Sequence, residues 1–282
     1  MRSQSQGPNV AEKAALMDER SRYLRQLIFT GLEGTKKGHV GSALSLVEIV
    51  RVLYDDIMNY RPQEPLWPDR DRFILSKGHG CLALYAVLAD KGFIDPEEIK
   101  TYTMEGSRLG GCCENIVPGV EATTGALGHG FAVGIGMALA ARIQKRPSRV
   151  YAVLSDGELA EGSIWEGALS AAKHKLSHLT AIIDCNKCQI TGRTKDILDL
   201  EPLKDKWESF GFETKEVDGH DVAALRKMFK SLPFSSDKPS AIICHTLKAR
   251  GLGFAEGDYK WHWKSGLDEA TLTKMRLALE ES

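Results

Sequence analysis

Between Ser155 and Gly192 the chain reads SDGELAEGSIWEGALSAAKHKLSHLTAIIDCNKCQITG, and two of its residues, Asp156 and Asn186, have the chemistry of hard-cation ligands. Each stands just past an apolar run that reads as a strand, Arg149 to Ser155 (RVYAVLS) and Leu179 to Asp184 (LTAIID). A carboxylate, an amide carbonyl and a backbone carbonyl just after Asn186 would supply about half an octahedron around Mg²⁺ or Ca²⁺, leaving the rest to phosphate oxygens and water. Gly157 lacks a side chain, so its N–H can approach an anion, and a helix beginning near Glu161 would add its dipole. The plainer reading makes Asp156-Gly157 a strand-ending turn and Asn186 a loop residue. The pair alone does not decide between them.

The elements around the pair favour a shared site. Glu161 to Lys173 has helical spacing, with Ile164, Ala168, Leu169 and Ala172 on one face. A strand, a crossover helix and a second strand form a right-handed unit in which both strands end on one edge of a parallel sheet, the edge where open α/β sheets bind ligands. Elsewhere RFILS, FETKEV and SAIICHT read as strands, and the segments from Ser45, Gly80, Gly128 and Asp221 as helices. An earlier helix would turn Ala15, Met17, Tyr23, Leu24, Leu27 and Ile28 to a core. The expected fold class is α/β, a doubly wound, mostly parallel sheet with helices on both faces, in one domain over residues 1–282 with a flexible polar leader at 1–10. The Gly- and Cys-rich loop from Thr101 to Thr124 is long enough to cover a site.

Composition sets the class. With 282 residues, 43% hydrophobic content and a net charge of −1, the chain has material for a full core and no electrostatic reason to bind nucleic acid. No apolar run approaches the roughly 20 residues of a membrane span, and the start lacks a signal-peptide core, so a cytoplasmic location is expected. Six cysteines in a chain this size do not read as a disulfide framework.

The Ser155–Gly192 stretch resembles the thiamine diphosphate signature, Gly-Asp-Gly followed after a spacer by Asn-Asn, in the form found in transketolases. Further segments match the N-terminal half of that family in order: GHVGSALSLVEIVRVLY at Gly38–Tyr54, RDRFILSKGHG at Arg70–Gly80, PGVEATTGALGHG at Pro118–Gly130, VDGHD at Val217–Asp221 and KWHWKSG at Lys260–Gly266. Together they cover nearly the whole chain. The resemblance implies thiamine diphosphate and Mg²⁺ (or Ca²⁺) as cofactors, and transfer of a two-carbon ketol unit from a ketose to an aldose. The metal would be held by Asp156, Asn186 and the Cys188 carbonyl.

Resemblance also assigns the other site residues. His39 corresponds to the donor-binding histidine, His79 to one near the diphosphate, and His262 to one approaching both diphosphate and substrate. Gly157 and Asn186 belong to the cofactor loop, and Gly125 and Leu127 to the surface under the aminopyrimidine; a glycine-rich helix start explains the last two equally well. Glu161 would join a carboxylate network crossing a subunit interface, although a helix N-terminus favours the same residue type. His220 reads as a structural turn residue, His129 is assigned no role, and His174, His178 and His245 read as surface or core histidines.

Departures narrow the match. Ser155 stands for the first glycine of the signature and Cys185 for the first asparagine, neither a ligand. Gly111, in LGGCCEN, occupies the place of a donor-binding histidine, which points to an unusual, branched or modified ketose. Cys112-Cys113 and Cys185-x-x-Cys188 suit family position better than zinc or redox chemistry. The family's pyrimidine-binding domain is not in this sequence, so a separate C-terminal subunit in an α₂β₂ assembly is expected. Two rivals are the α subunit of a 2-oxo acid dehydrogenase, which lacks the Gly-His-Val-Gly and Ser-Lys-Gly-His-Gly pair, and a catalytically silent paralogue.

Overall fold

A computed structural model describes residues 17–281; the leader expected over residues 1–10, and Ala15 of the first helix, lie outside the described residues. The strands are β1 (Lys37–Gly38), β2 (Arg72–Leu75), β3 (Val150–Ser155), β4 (Leu179–Cys185), β5 (Glu213–Asp218), β6 (Ser240–His245) and β7 (Lys264–Ser265). The helices are α1 (Glu19–Thr35), α2 (Val40–Ser45), α3 (Val47–Val52), α4 (Cys81–Asp90), α5 (His129–Ile143), α6 (Gly162–Lys173), α7 (Thr194–Ile197), α8 (Leu203–Ser209), α9 (Val222–Lys230) and α10 (Glu269–Glu281). Five strands pair in parallel, in the order β2-β3-β4-β6-β5. A separate antiparallel ribbon joins β1 to β7.

Burial on both faces explains why the central strands are apolar without interruption. Phe73, Leu75, Tyr151, Val153, Ile182 and Ile242 enter a core with α1, α3, α4, α9 and α10. Their alternating neighbours Ile74, Ala152, Leu154, Ala181, Ile183 and Ile243 enter a second core with α5, α6 and α8. The expected doubly wound α/β sheet is therefore present. Among the described residues no helix is long and apolar enough to cross a membrane.

Element boundaries depart from expectation in a regular way. Gly80, Gly128, Glu161 and Asp221 are caps, and α4, α5, α6 and α9 each begin one residue later. The helix expected from Ser45 begins at Val40, directly after His39, and is broken at Leu46. In α6 the buried face is Ile164, Ala168 and Ala171, while Leu169 is 58% exposed. Periodicity found the helix and the Ile164–Ala168 part of its buried face, but Ala171 completes that face in place of Leu169 and Ala172. Tyr23 of α1 is likewise exposed, whereas Leu24 and Ile28 are buried as expected.

Candidate active site

Parallel pairing brings the C-terminal ends of β2, β3, β4 and β6 to one edge, and the residues just past them form the floor of the site. Lys77, after β2, pairs with Asp184 of β4, both side chains fully buried. Asp184 also accepts hydrogen bonds from Ser45 Oγ (2.6 Å), Thr246 Oγ1 and Asn186 Nδ2 (3.3 Å). Burial by itself would raise the Asp184 carboxyl, but Lys77 and the hydroxyl donors outweigh it and hold the group below the usual carboxylate range.

Asp156 lies beside this pair. Its Oδ1 accepts the Gly157 N–H (2.9 Å) and its Oδ2 the Lys187 N–H (2.5 Å). Burial, and then the neighbouring Asp184, push its carboxyl up to about 6. A bound cation relieves that strain directly. Asn186, also buried, accepts the Cys188 N–H on Oδ1 (3.1 Å), and Lys187 between them turns the chain at φ +61°. Each of these oxygens keeps a free lone pair. Among the described residues no three His, Cys, Asp or Glu side chains converge to hold a metal by themselves, the two cysteine pairs included. The chain thus offers a partial, oxygen-only donor set, which suits a hard cation shared with a phosphate ligand. The Gly157 N–H, expected to face an anion, is engaged by Asp156 in this structure.

Above the floor, three imidazoles converge from separate segments. Ring centroids of His39 and His79 are 5.5 Å apart, those of His39 and His262 5.5 Å, and those of His79 and His262 5.0 Å. The β1–β7 ribbon sets this meeting: Gly38 pairs with Lys264, so His39 faces Trp263 across the ribbon, with ring centroids 4.5 Å apart and edge-on. Burial depresses all three histidines, His39 to about 4 and His262 to about 3, with Lys248 and Lys77 adding to the effect on each. They are neutral at physiological pH. The carbonyl of Gly111 bonds to His39, and His39 Nδ1 is buried without a partner.

Lys248, after β6, is 1% exposed, and burial together with Lys77 lowers its ammonium to about 8. Among the described residues it hydrogen-bonds a histidine, His262 Nδ1 at 3.3 Å, rather than a carboxylate. An ammonium only donates, so Nδ1 accepts and the His262 proton sits on Nε2. A buried cation without a carboxylate, beside an unpartnered imidazole nitrogen, fits a polyanionic, hydroxyl-bearing ligand.

The motifs did not reveal every member of this cluster. Lys77, although inside the Ser-Lys-Gly-His-Gly segment, carried no assigned role, and Lys248 and Asp184 carried no signal beyond their places at strand ends. Neither did Glu158, which is fully buried and accepts from Ser76 Oγ (2.6 Å), Gly128 N–H (2.9 Å) and Ser155 N–H (3.3 Å), tying β2, β3 and the start of α5 together. Gly128 takes φ +79° to make that bond, a conformation that favours glycine. Gly125 is exposed and Leu127 half-buried, beside the segment carrying His79. Glu161 is exposed at the start of α6 and makes no capping bond with its side chain. His178 and His245 bond to Ala138 O (2.7 Å) and Glu216 Oε2 (2.7 Å), away from the cluster.

The transketolase thiamine diphosphate binding domain matches residues 17–281. The chain belongs to the transketolase family. Similar relatives include a subunit of the apulose-4-phosphate transketolase of Phocaeicola vulgatus, 43% identical over 80% of this chain and 81% of that one. Another is the 6-deoxy-6-sulfo-D-fructose transketolase subunit SqwG of a Clostridium species, 38% identical over 92% of this chain and 98% of that one. The transketolase of Leishmania mexicana superposes with a TM-score of 0.87 at 31% identity, over 94% of this chain and 42% of that one. The chain therefore spans about two fifths of the single-chain transketolases it resembles, and nearly the whole of separate subunits. Its place in the family is that of the N-terminal, thiamine diphosphate binding subunit of a two-subunit transketolase.

Proposed function

We propose that this transketolase subunit holds the diphosphate end of thiamine diphosphate and takes part in moving a two-carbon ketol unit from a modified ketose to an aldose. The observation that carries the reading is the meeting of three neutral imidazoles with two buried ammonium groups at the C-terminal edge of the sheet. Asp156, Asn186 and the Cys188 carbonyl would hold Mg²⁺ or Ca²⁺, with Lys248, His79 and Gly157 facing the diphosphate and Gly125 and Leu127 the aminopyrimidine. When bound, thiamine diphosphate supplies the nucleophilic carbon and the electron sink for the two-carbon unit. His262 contributes its Nε2–H as a donor, and His39, whose own N–H faces the Gly111 carbonyl, contributes a bare Nδ1 as an acceptor, so the two orient sugar hydroxyls while burial keeps both rings neutral.

A partner subunit and an α₂β₂ assembly are supported by an apolar outer face. Ala132, Val133, Gly136 and Ala140 are exposed along one side of α5, and Glu161 lies beside Gly128 at the start of that helix. A pyrimidine-binding partner seated there would bury Glu161, giving its carboxylate the role expected of it. For the donor, the side of the site at His39 is lined by the Gly111 carbonyl and the Trp263 indole, with no histidine at position 111. Relatives named for apulose 4-phosphate and 6-deoxy-6-sulfofructose support a branched or terminally modified ketose.

The test is to copurify the chain with the product of its neighbouring gene, add thiamine diphosphate and Mg²⁺, and screen ketose donors against aldehyde acceptors. Ketol transfer from a branched or modified ketose is the expected result. Absence of transfer from every ketose, or release of CO₂ from a 2-oxo acid instead, overturns the reading. Equal turnover of xylulose 5-phosphate removes the claim of a modified donor.

A further inference from the structure

A buried chain of charges outside the site ends beside it. Arg25 and Glu48 are 0% and 3% exposed, and the guanidinium grips the carboxylate twice, Nη1 to Oε1 at 2.5 Å and Nη2 to Oε2 at 3.0 Å. Arg25 also donates to the carbonyls of Arg250 (2.9 Å) and Leu44 (3.0 Å). Glu48 Oε2 in turn meets His220 Nδ1 at 2.9 Å, and His220 Nε2 meets the backbone N–H of Leu247 at 2.8 Å. A backbone N–H only donates, so Nε2 is the bare nitrogen and Nδ1 carries the hydrogen toward Glu48. Partners at both ends thus fix one neutral tautomer. The His220 backbone is anchored as well, its N–H donating to Asp218 Oδ1 at 2.8 Å.

Leu247 is the residue before Lys248. The same segment is held by Thr246 Oγ1 to Asp184, Ala249 N–H to Gly41 O (3.1 Å) and Gly257 N–H to Lys248 O (2.9 Å). Ala249 adopts φ +60°, a left-handed conformation that costs a non-glycine residue about 1–2 kcal/mol. Such strain persists only where neighbours over-determine the backbone. Gly41 leaves the space that the Lys248 stem fills, since a Cβ there would stand 2.6 Å from Lys248 Cγ. The His220 bond to Leu247 is a restraint on this turn that comes from a rigid ring itself held by the buried Arg25–Glu48 pair.

We propose that His220 is a positioning residue for Lys248: through the Leu247 N–H it fixes the strained turn that aims the buried ammonium at the diphosphate. This rests on the reading of Lys248 as a diphosphate ligand. His220→Asn keeps a donor where Nδ1 stands and removes the acceptor for Leu247; His220→Gln keeps an acceptor where Nε2 stands and removes the bond to Glu48.

The experiment is calorimetric titration of the full chain with inorganic diphosphate and Mg²⁺, repeated with thiamine diphosphate. Affinity is expected to fall about tenfold or more in His220→Asn and to stay within about threefold of wild type in His220→Gln, on the scale of one hydrogen-bonded contact. Lys248→Met is expected to bind as weakly as the double variant His220→Asn/Lys248→Met, because one residue acts through the other. Wild-type affinity in His220→Asn, or losses that multiply in the double variant, overturns the inference. Should His220→Asn fail to fold, His220→Gln decides: retained affinity with a lower melting temperature supports positioning, and affinity lost in step with stability refutes it. If the wild-type chain itself takes up neither ligand, the reading of the site falls and the inference with it; if it binds and the variants bind equally, only the inference falls.

Discussion

The floor of the site and its sugar-facing wall are built on opposite terms. On the floor, Asp184 accepts from Lys77, Ser45, Thr246 and Asn186, and both oxygens of Asp156 are taken by backbone N–H groups. Each carboxylate there has its partners before any ligand arrives. On the wall, His39 has a buried nitrogen without a partner, Trp263 is 38% exposed, and the contacts to His39 come from three aromatic rings and a backbone carbonyl. A fully satisfied network sets one geometry and tolerates little change. An incomplete one leaves bonds for the substrate to make, so binding specificity is written in what the wall lacks.

Substitutions on the two sides should therefore fail differently. The largest effect is expected on the floor: Asp156→Ala and Asn186→Ala each abolish metal-dependent thiamine diphosphate binding, and unchanged affinity in either, by calorimetry, would remove the metal assignment. Next is Lys77→Met, which strands the Asp184 carboxylate in the core; breaking a buried pair costs about 3–5 kcal/mol, read as a shift of the chemical denaturation midpoint. A loss under about 1 kcal/mol would show that the floor is not the rigid part.

The smallest effect is expected on the wall and is read through pH. Burial depresses His39 to about 4 and His262 to about 3, against about 6.5 in an unfolded chain. Between about pH 4 and 6.5 the unfolded chain binds protons that these folded histidines refuse, so each contributes a loss of stability as pH falls through that window. Asp156, raised to about 6, works the other way, because the folded state holds its proton more tightly below that pH. The informative quantity is thus the difference between variants: His39→Asn should lose less stability than wild type on going from pH 6.5 to 4. Parallel melting curves across that range would mean His39 does not carry the burial assigned to it.

Much of this architecture was legible in the chain. Apolar runs ending in Asp156-Gly157 and at Asp184, with a helix-length crossover between them, placed two candidate ligands on one sheet edge, and the histidine motifs named three rings that the structure brings within 5.5 Å of one another. Local pattern failed where the answer depended on a neighbour. Leu169 is exposed although hydrophobic spacing put it on the buried face, and α5 likewise exposes Ala132, Val133, Gly136 and Ala140. Glu158 shares a turn with Asp156 and looks like any solvated acid in sequence, yet it is the buried tie between β2, β3 and α5.

The order of motifs by itself determined the family, the sheet and the side of the sheet that binds ligands, because strand period, crossover length and strand-end residues are local properties of a chain. Only the tertiary structure decided which charges are paired. Lys77 and Asp184 neutralise each other, Lys248 is left with a histidine, and His220 is braced between Glu48 and Leu247, since each pairing depends on distances between segments far apart in sequence. Burial then converts those distances into chemistry: in a low-dielectric edge a paired carboxylate stays charged, a crowded histidine stays neutral, and an ammonium without a carboxylate is left ready for an anion.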